Sequence, residues 1–141
     1  VSSEDKPIIV DTNILFSALL SGESVFANLL LTSTHRFFII EQAIVELFKH
    51  KEKIMKFSKL SEDDVVRFFH VLLKRLSLYK EDLISRENRL TAYELCRDID
   101  ETDTPHVALA LELKGLLWTG DKTLRDGLMK KGFDQFFEPH R

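Results

Sequence analysis

Apolar residues fall into two kinds of run along this chain, short unbroken blocks and longer stretches with helical spacing, and the two kinds alternate. Pro7-Ile8-Ile9-Val10, Phe37-Phe38-Ile39-Ile40 and Leu116-Leu117-Trp118-Thr119 are the blocks. Each is short and continuously apolar, which predicts strands of a sheet covered on both faces. Helices are expected between them: Asn13 to Leu20, closed by Ser21-Gly22; Ser24 to Leu31; and one long helix from Gln42 to Phe57. Ser61-Glu62-Asp63-Asp64 resembles a capping box with Asp at its third helical position. It opens a helix to about Leu76, in which Val65, Phe68, Phe69, Leu72, Leu73 and Leu76 recur at helical spacing. Leu83-Ile84 reads as a short strand or a connection, and Ser85 as the cap of a helix carrying Leu90, Tyr93, Glu94 and Cys96.

An acidic loop, Asp98 to Thr102, follows. Pro105 suits the first turn of the next helix, where its missing N–H would have no partner. That helix, with Val107, Ala108, Ala110, Leu111 and Leu113, is apolar nearly all round and should be deeply packed, with Gly115 ending it. A last helix is expected from about Thr123 to Lys130, stopped by Gly132, and Phe136-Phe137 could add an edge strand. Alternation of this kind implies a three-layer α/β/α sandwich around a mostly parallel sheet. No Pro/Gly/Ser-rich linker divides the 141 residues, which predicts a single domain over 1–141. Such a length buries roughly 68–70% of its unfolded surface. The chain opens at Val1 rather than Met, so residues 1–6 are expected to be a disordered, processed or trimmed end.

Composition adds exclusions. No apolar run approaches the ~20 residues of a membrane span, and no secretory pattern opens the chain, so no membrane partner is expected. The single Cys96 cannot form an internal disulfide, which makes the reducing cytoplasm the default location. The net charge of −3 argues at first against a polyanionic partner. The charge is unevenly placed, however: Lys49, Lys51, Lys53, Lys56 and Lys59 form a stretch relieved only by Glu52, with a smaller cluster at Arg86 and Arg89. Such a stretch either tracks phosphates or is a solvated helix face.

The chemistry lies in four carboxylates. Asp11 ends the first strand; Glu46 sits among the apolar residues Ala43, Ile44, Val45, Leu47 and Phe48; Asp103 reads as the cap of the apolar helix; Asp121 follows the last strand. Strand ends and helix starts of a parallel sheet meet on one edge, where ligands bind. Carboxylates gathered there repel one another unless a divalent cation holds them together. Matching four of them with metal leaves the remainder of the chain at +1. Asp100 is a further oxygen donor near Asp103, Asn13 and Thr119 could orient carboxylates or water, and Glu41 competes with Glu46. The five histidines show no zinc-type spacing, and one cysteine cannot anchor a structural zinc. His106, one helical turn from Asp103, reads as a packing residue or an orienting donor rather than a ligand.

In these segments, Ile9-Val10-Asp11-Thr12-Asn13, Glu46-Leu47, Asp103-Thr104-Pro105-His106-Val107-Ala108-Leu109-Ala110 and Thr119-Gly120-Asp121-Lys122, the chain resembles the PIN-domain nucleases. Each motif alone is weak; the ordered set is fairly specific and spans nearly the whole chain. The resemblance implies an endoribonuclease with Mg²⁺ or Mn²⁺ held by Asp11, Glu46, Asp103 and Asp121; Asp100, by its place in the acidic loop, is a candidate to share the role of Asp103, and Lys49, Lys51, Lys53 and Lys56 of the basic stretch are the candidate RNA contacts. It also implies an RNA partner and leaves open an antitoxin partner and a homodimer, because many family members are toxins of toxin–antitoxin pairs. Three alternatives stand beside it. A catalytically silent RNA-binding module would keep the fold without the cutting. An aspartate-nucleophile phosphohydrolase wants a second acid two residues after the first, where this chain has Asn13, and a receiver-like phosphoacceptor wants paired acids near the start.

Overall fold

A computed structural model describes residues 6–21 and 25–139. The expectations for residues 1–5, and the part of the helix boundaries resting on Gly22 and Ser24, lie outside the described residues. Four strands form one sheet: β1 (Ile8–Val10), β2 (Phe37–Ile40), β3 (Leu76–Tyr79) and β4 (Leu116–Trp118). Their order is β3-β2-β1-β4, and every pairing is parallel. The helices are α1 (Thr12–Ser21), α2 (Val25–Thr32), α3 (Glu41–Lys49), α4 (Lys51–Phe57), α5 (Glu62–Arg75), α6 (Arg86–Cys96), α7 (Thr104–Leu113) and α8 (Lys122–Lys130).

The strand period of two sorts the apolar blocks into two cores. Ile8, Val10, Phe37, Ile39 and Trp118 point to one face and meet α1 to α5, with Phe26, Leu30, Leu47, Ile54 and Leu72 among the buried partners. Ile9, Ile40 and Leu117 point to the other face and meet α6, α7 and α8. Layers of helices therefore cover both faces, which is why the strands can be apolar throughout. No single described helix is long and apolar enough to cross a membrane.

Two sequence expectations change, and one open alternative is decided. The helix expected over 42–57 is broken at His50 (φ −102°, ψ 16°) into α3 and α4. The break lets the end of α4 dock on α1, where the Ser58 hydroxyl donates to the Leu19 carbonyl (2.5 Å) and Lys59 N to Leu20 O (2.8 Å). β3 is a strand that periodicity hides, because Leu76 falls four residues after Leu72 and so continues the helical stripe of α5. Its backbone is already extended (φ −91°, ψ 133°) and pairs along β2. Glu81–Leu83 is a 3₁₀ turn, so Leu83-Ile84 belongs to the connection. The caps read from sequence hold: Ser61 accepts from Asp64 N, and Ser85 accepts from Asn88 N, each at 3.2 Å. Phe136 makes only an isolated parallel bridge to Leu117.

α7 ends just before Gly115. The left-handed residue is Lys114 (φ 52°), while Gly115 N reaches back to Ala110 O at 2.9 Å. A Cβ on Gly115 would lie 2.5 Å from Pro7 O and 2.6 Å from Ile9 Cδ1. The glycine thus lets β4 start against β1, the pair of strands that carries the site. Gly115→Ala is expected to lower stability by about 1–3 kcal/mol, as overpacking does. A chelated sample whose melting midpoint matches wild type would show that the contact relaxes freely.

Candidate metal centre

The all-parallel sheet sends the C-terminal ends of β1 and β4 side by side, and the site is built where they stop. Asp11 is the first residue after β1 and is only 3% exposed. Its backbone N donates to Trp118 O on β4 (3.1 Å). Both carboxylate oxygens are tied down: Oδ1 accepts from Asn13 N (3.1 Å) and Oδ2 from the Thr119 hydroxyl (2.8 Å). Thr119 Oγ1 in turn accepts from Asp121 N (3.1 Å). Asp121 caps α8, its Oδ1 accepting from Leu124 N at 3.0 Å. A chain of hydrogen bonds therefore joins the ends of two neighbouring strands. Asn13 takes part through its backbone; its side chain is exposed.

Asp103 corrects an expectation. It occupies the N-cap position of α7, but its backbone is helical (φ −85°, ψ −4°) and its side chain makes no cap hydrogen bond. The carboxyl is left for the cluster. It is pushed up to about 7, first by burial and then by the carboxylates of Asp11, Asp100 and Asp121. Asp100 is exposed and opens the 3₁₀ turn Glu101–Asp103, accepting from Thr102 N (3.0 Å) and from the Thr102 hydroxyl (2.6 Å). These bonds hold its carboxyl below the usual range. The acidic turn is anchored by Lys131, which pairs with Asp98 and caps the end of α6 at Leu95 O (3.0 Å).

His106 is the residue that sequence reasoning set aside. It lies on the first turn of α7, buried at 8% exposure. Asp11, Asp103 and His106 each offer a ligand atom, and these atoms lie within 4.8 Å of one another. His106 Nε2 is 3.3 Å from Thr12 Oγ1. Burial pushes the imidazole pKa down, with the Asp11 carboxylate opposing it. The signal was in the sequence, since residues three apart at a helix start share a face.

The structure brings together Asp11 and Asp103, with Asp121 and Asp100 close enough to act on the Asp103 carboxyl. Glu46 is half-buried on α3 and stands outside the Asp11–Asp103–His106 group. Its carboxylate meets Lys49 Nζ (3.6 Å), His50 Nε2 (3.9 Å) and Gln42 Nε2 (3.4 Å), all from its own stretch of chain. Glu41 is exposed at the helix start. Lys49, Lys51, Lys53 and Lys56 are all exposed on α3 and α4, and Lys53 borders an apolar groove with Phe16, Leu20, Ile54 and Phe57.

The PIN domain profile matches residues 9–136, which spans every one of these segments. The chain belongs to the PIN-domain family. PIN domains are generally nucleases that use divalent metals. Among solved structures, the chain is similar to VapBC2 from Rickettsia felis bound to a DNA fragment from their promoter. The TM-score is 0.62 at 19% identity, over 94% of this chain and 97% of the other. That likeness supports the PIN fold. No curated protein matches the sequence.

Proposed function

We propose that this PIN domain is a metal-dependent endoribonuclease that hydrolyses RNA phosphodiester bonds. The observation that carries the reading is Asp103: a carboxyl beside Asp11 with no hydrogen-bonded cap role, pushed up first by burial and then by the Asp11, Asp100 and Asp121 carboxylates. Such an arrangement suits a divalent cation, whose charge offsets the repulsion. Hard oxygen donors fit Mg²⁺ or Mn²⁺. Asp11, Asp103 and Asp121 would hold the ion, with Glu46 from α3 and Asp100 from the acidic turn completing the donor set. A bound ion would activate water and neutralise charge on the phosphate.

The chain's own residues do the rest. The Thr119 hydroxyl and Asn13 N fix both oxygens of Asp11, so its carboxylate is oriented before any ligand arrives. The exposed lysines of α3 and α4 lie on the helices that follow β2 and can follow an RNA backbone. The similarity to VapBC2 supports a toxin role with an antitoxin partner. The direct test is cleavage of RNA with Mg²⁺ or Mn²⁺ and its loss in excess chelator. Undiminished cleavage in chelator rejects the mechanism.

Three further variants sharpen the reading. Glu46→Gln is expected to lower cleavage by about tenfold or more, as loss of a ligand or ligand-orienting group does, while Glu41→Gln stays near wild type. Equal activity of the two assigns Glu46 to its pairing with Lys49 and His50. Replacing Lys51, Lys53 and Lys56 with Gln should weaken RNA binding across sequences and flatten log affinity against log salt by roughly 0.7 per lost contact. An unchanged slope makes these lysines a solvated face.

A further inference from the structure

The buried imidazole of His106 is a donor that an all-carboxylate site does not need. One of its ring nitrogens lies within 4.8 Å of a carboxylate oxygen of Asp11 and of Asp103. Among the described residues its Nε2 has only the Thr12 hydroxyl, at 3.3 Å, and its buried Nδ1 has no hydrogen-bond partner. Buried polar side-chain atoms nearly always have one. A satisfied core histidine would use both nitrogens; this one keeps bonding capacity beside two carboxylates.

Helix geometry explains the placement. Asp103 and His106 are three residues apart at the start of α7, so both side chains leave the same face toward Asp11. A carboxylate and an imidazole at this spacing form a recurrent way of presenting mixed oxygen and nitrogen ligands from one helix. Pro105 at the first turn of the helix holds that turn in place.

We propose that His106 supplies an imidazole nitrogen to the metal held by Asp11 and Asp103, tilting the site toward later transition ions such as Co²⁺ and away from Mg²⁺. The inference rests on the reading of this edge as a metal site. Its basis is ligand chemistry: carboxylate and water suit Mg²⁺ and Mn²⁺, whereas imidazole suits later first-row ions, for which affinity rises from Mn²⁺ to Co²⁺. Thr12, through its hydroxyl contact with Nε2, acts as a positioning residue that sets the tilt of the ring.

The test reads metal binding. Wild type loaded with Mn²⁺ should show nitrogen hyperfine coupling by pulsed electron paramagnetic resonance, and calorimetry should show tighter binding of Co²⁺ than of Mg²⁺. His106→Phe, which keeps ring volume, should lose the coupling and at least about tenfold in Co²⁺ affinity, no less than the loss of a group that merely orients a ligand. Its Mg²⁺ affinity should barely change. His106→Gln, which restores a polar tip, should fold if Phe does not and should likewise lose the coupling; circular dichroism checks both folds. Absent coupling in wild type, or coupling and Co²⁺ preference that persist in both variants, overturns the assignment of His106 while leaving the metal site standing. Failure of wild type to bind any of the three ions overturns both readings together.

Discussion

Asp11→Asn is expected to cut RNA cleavage by at least about 100-fold with Mg²⁺ or Mn²⁺ present, the upper end of what loss of a metal-site group costs. The expectation follows from position. Asp11 is the most buried carboxylate of the cluster, directly after the central strand β1, with both oxygens held by Asn13 N and Thr119. The amide keeps the volume and removes the charge. Its oxygen can still accept from Asn13 N. Its NH₂ can donate to Thr119 Oγ1, which as a hydroxyl accepts as well as donates. The fold should therefore survive, and a chelated melt should show a midpoint no lower than wild type. A folded variant that cuts at the wild-type rate would remove Asp11 from the site.

Asp11 also shows what a sequence discloses and what it withholds. The strand-ending position was legible because an unbroken apolar block followed by a polar residue admits one placement in a parallel sheet. The same logic located Asp121 after β4. Asp103 was legible as a helix start and as a candidate metal ligand, but an Asp before a helix ordinarily caps it, and the helical backbone that leaves its side chain without a cap hydrogen bond was not legible. His106 needed the third dimension as well, because its meaning lies in its distance to Asp11, ninety-five positions away in the chain. β3 was hidden by Leu76, which satisfies the helical period of α5 and the first strand position at once. The break at His50 was hidden because its cause lies in the docking of Ser58 and Lys59 on α1. Local pattern places elements; contacts between distant segments decide where they bend and which polar groups stay unpaired.

The metal-free protein carries the last expectation. Asp103 titrates at about 7 in the folded chain and near 3.9 when unfolded. Between those values the folded chain binds more protons than the unfolded chain, so stability falls as pH rises from about 4 to about 7 and stays reduced above. The carboxyl is only half-buried, and solvent screening trims the effect to about 1–2 kcal/mol. Asp103→Asn has no charge to crowd and no cap hydrogen bond to lose. In chelator it should exceed wild type by that margin at pH 8, the two curves converging near pH 4. Asp121→Asn should gain less, because its carboxylate caps Leu124 N and acts less strongly on Asp103 than Asp11 does. Saturating Mg²⁺ or Mn²⁺ should reverse the order, adding about 2.7 kcal/mol to wild type at a hundredfold excess over Kd and less to the variant. Melts across pH, with chelator and with metal, decide it. A variant less stable than wild type at every pH, together with a wild-type midpoint that ignores metal, would make Asp103 a structural residue of the α7 start.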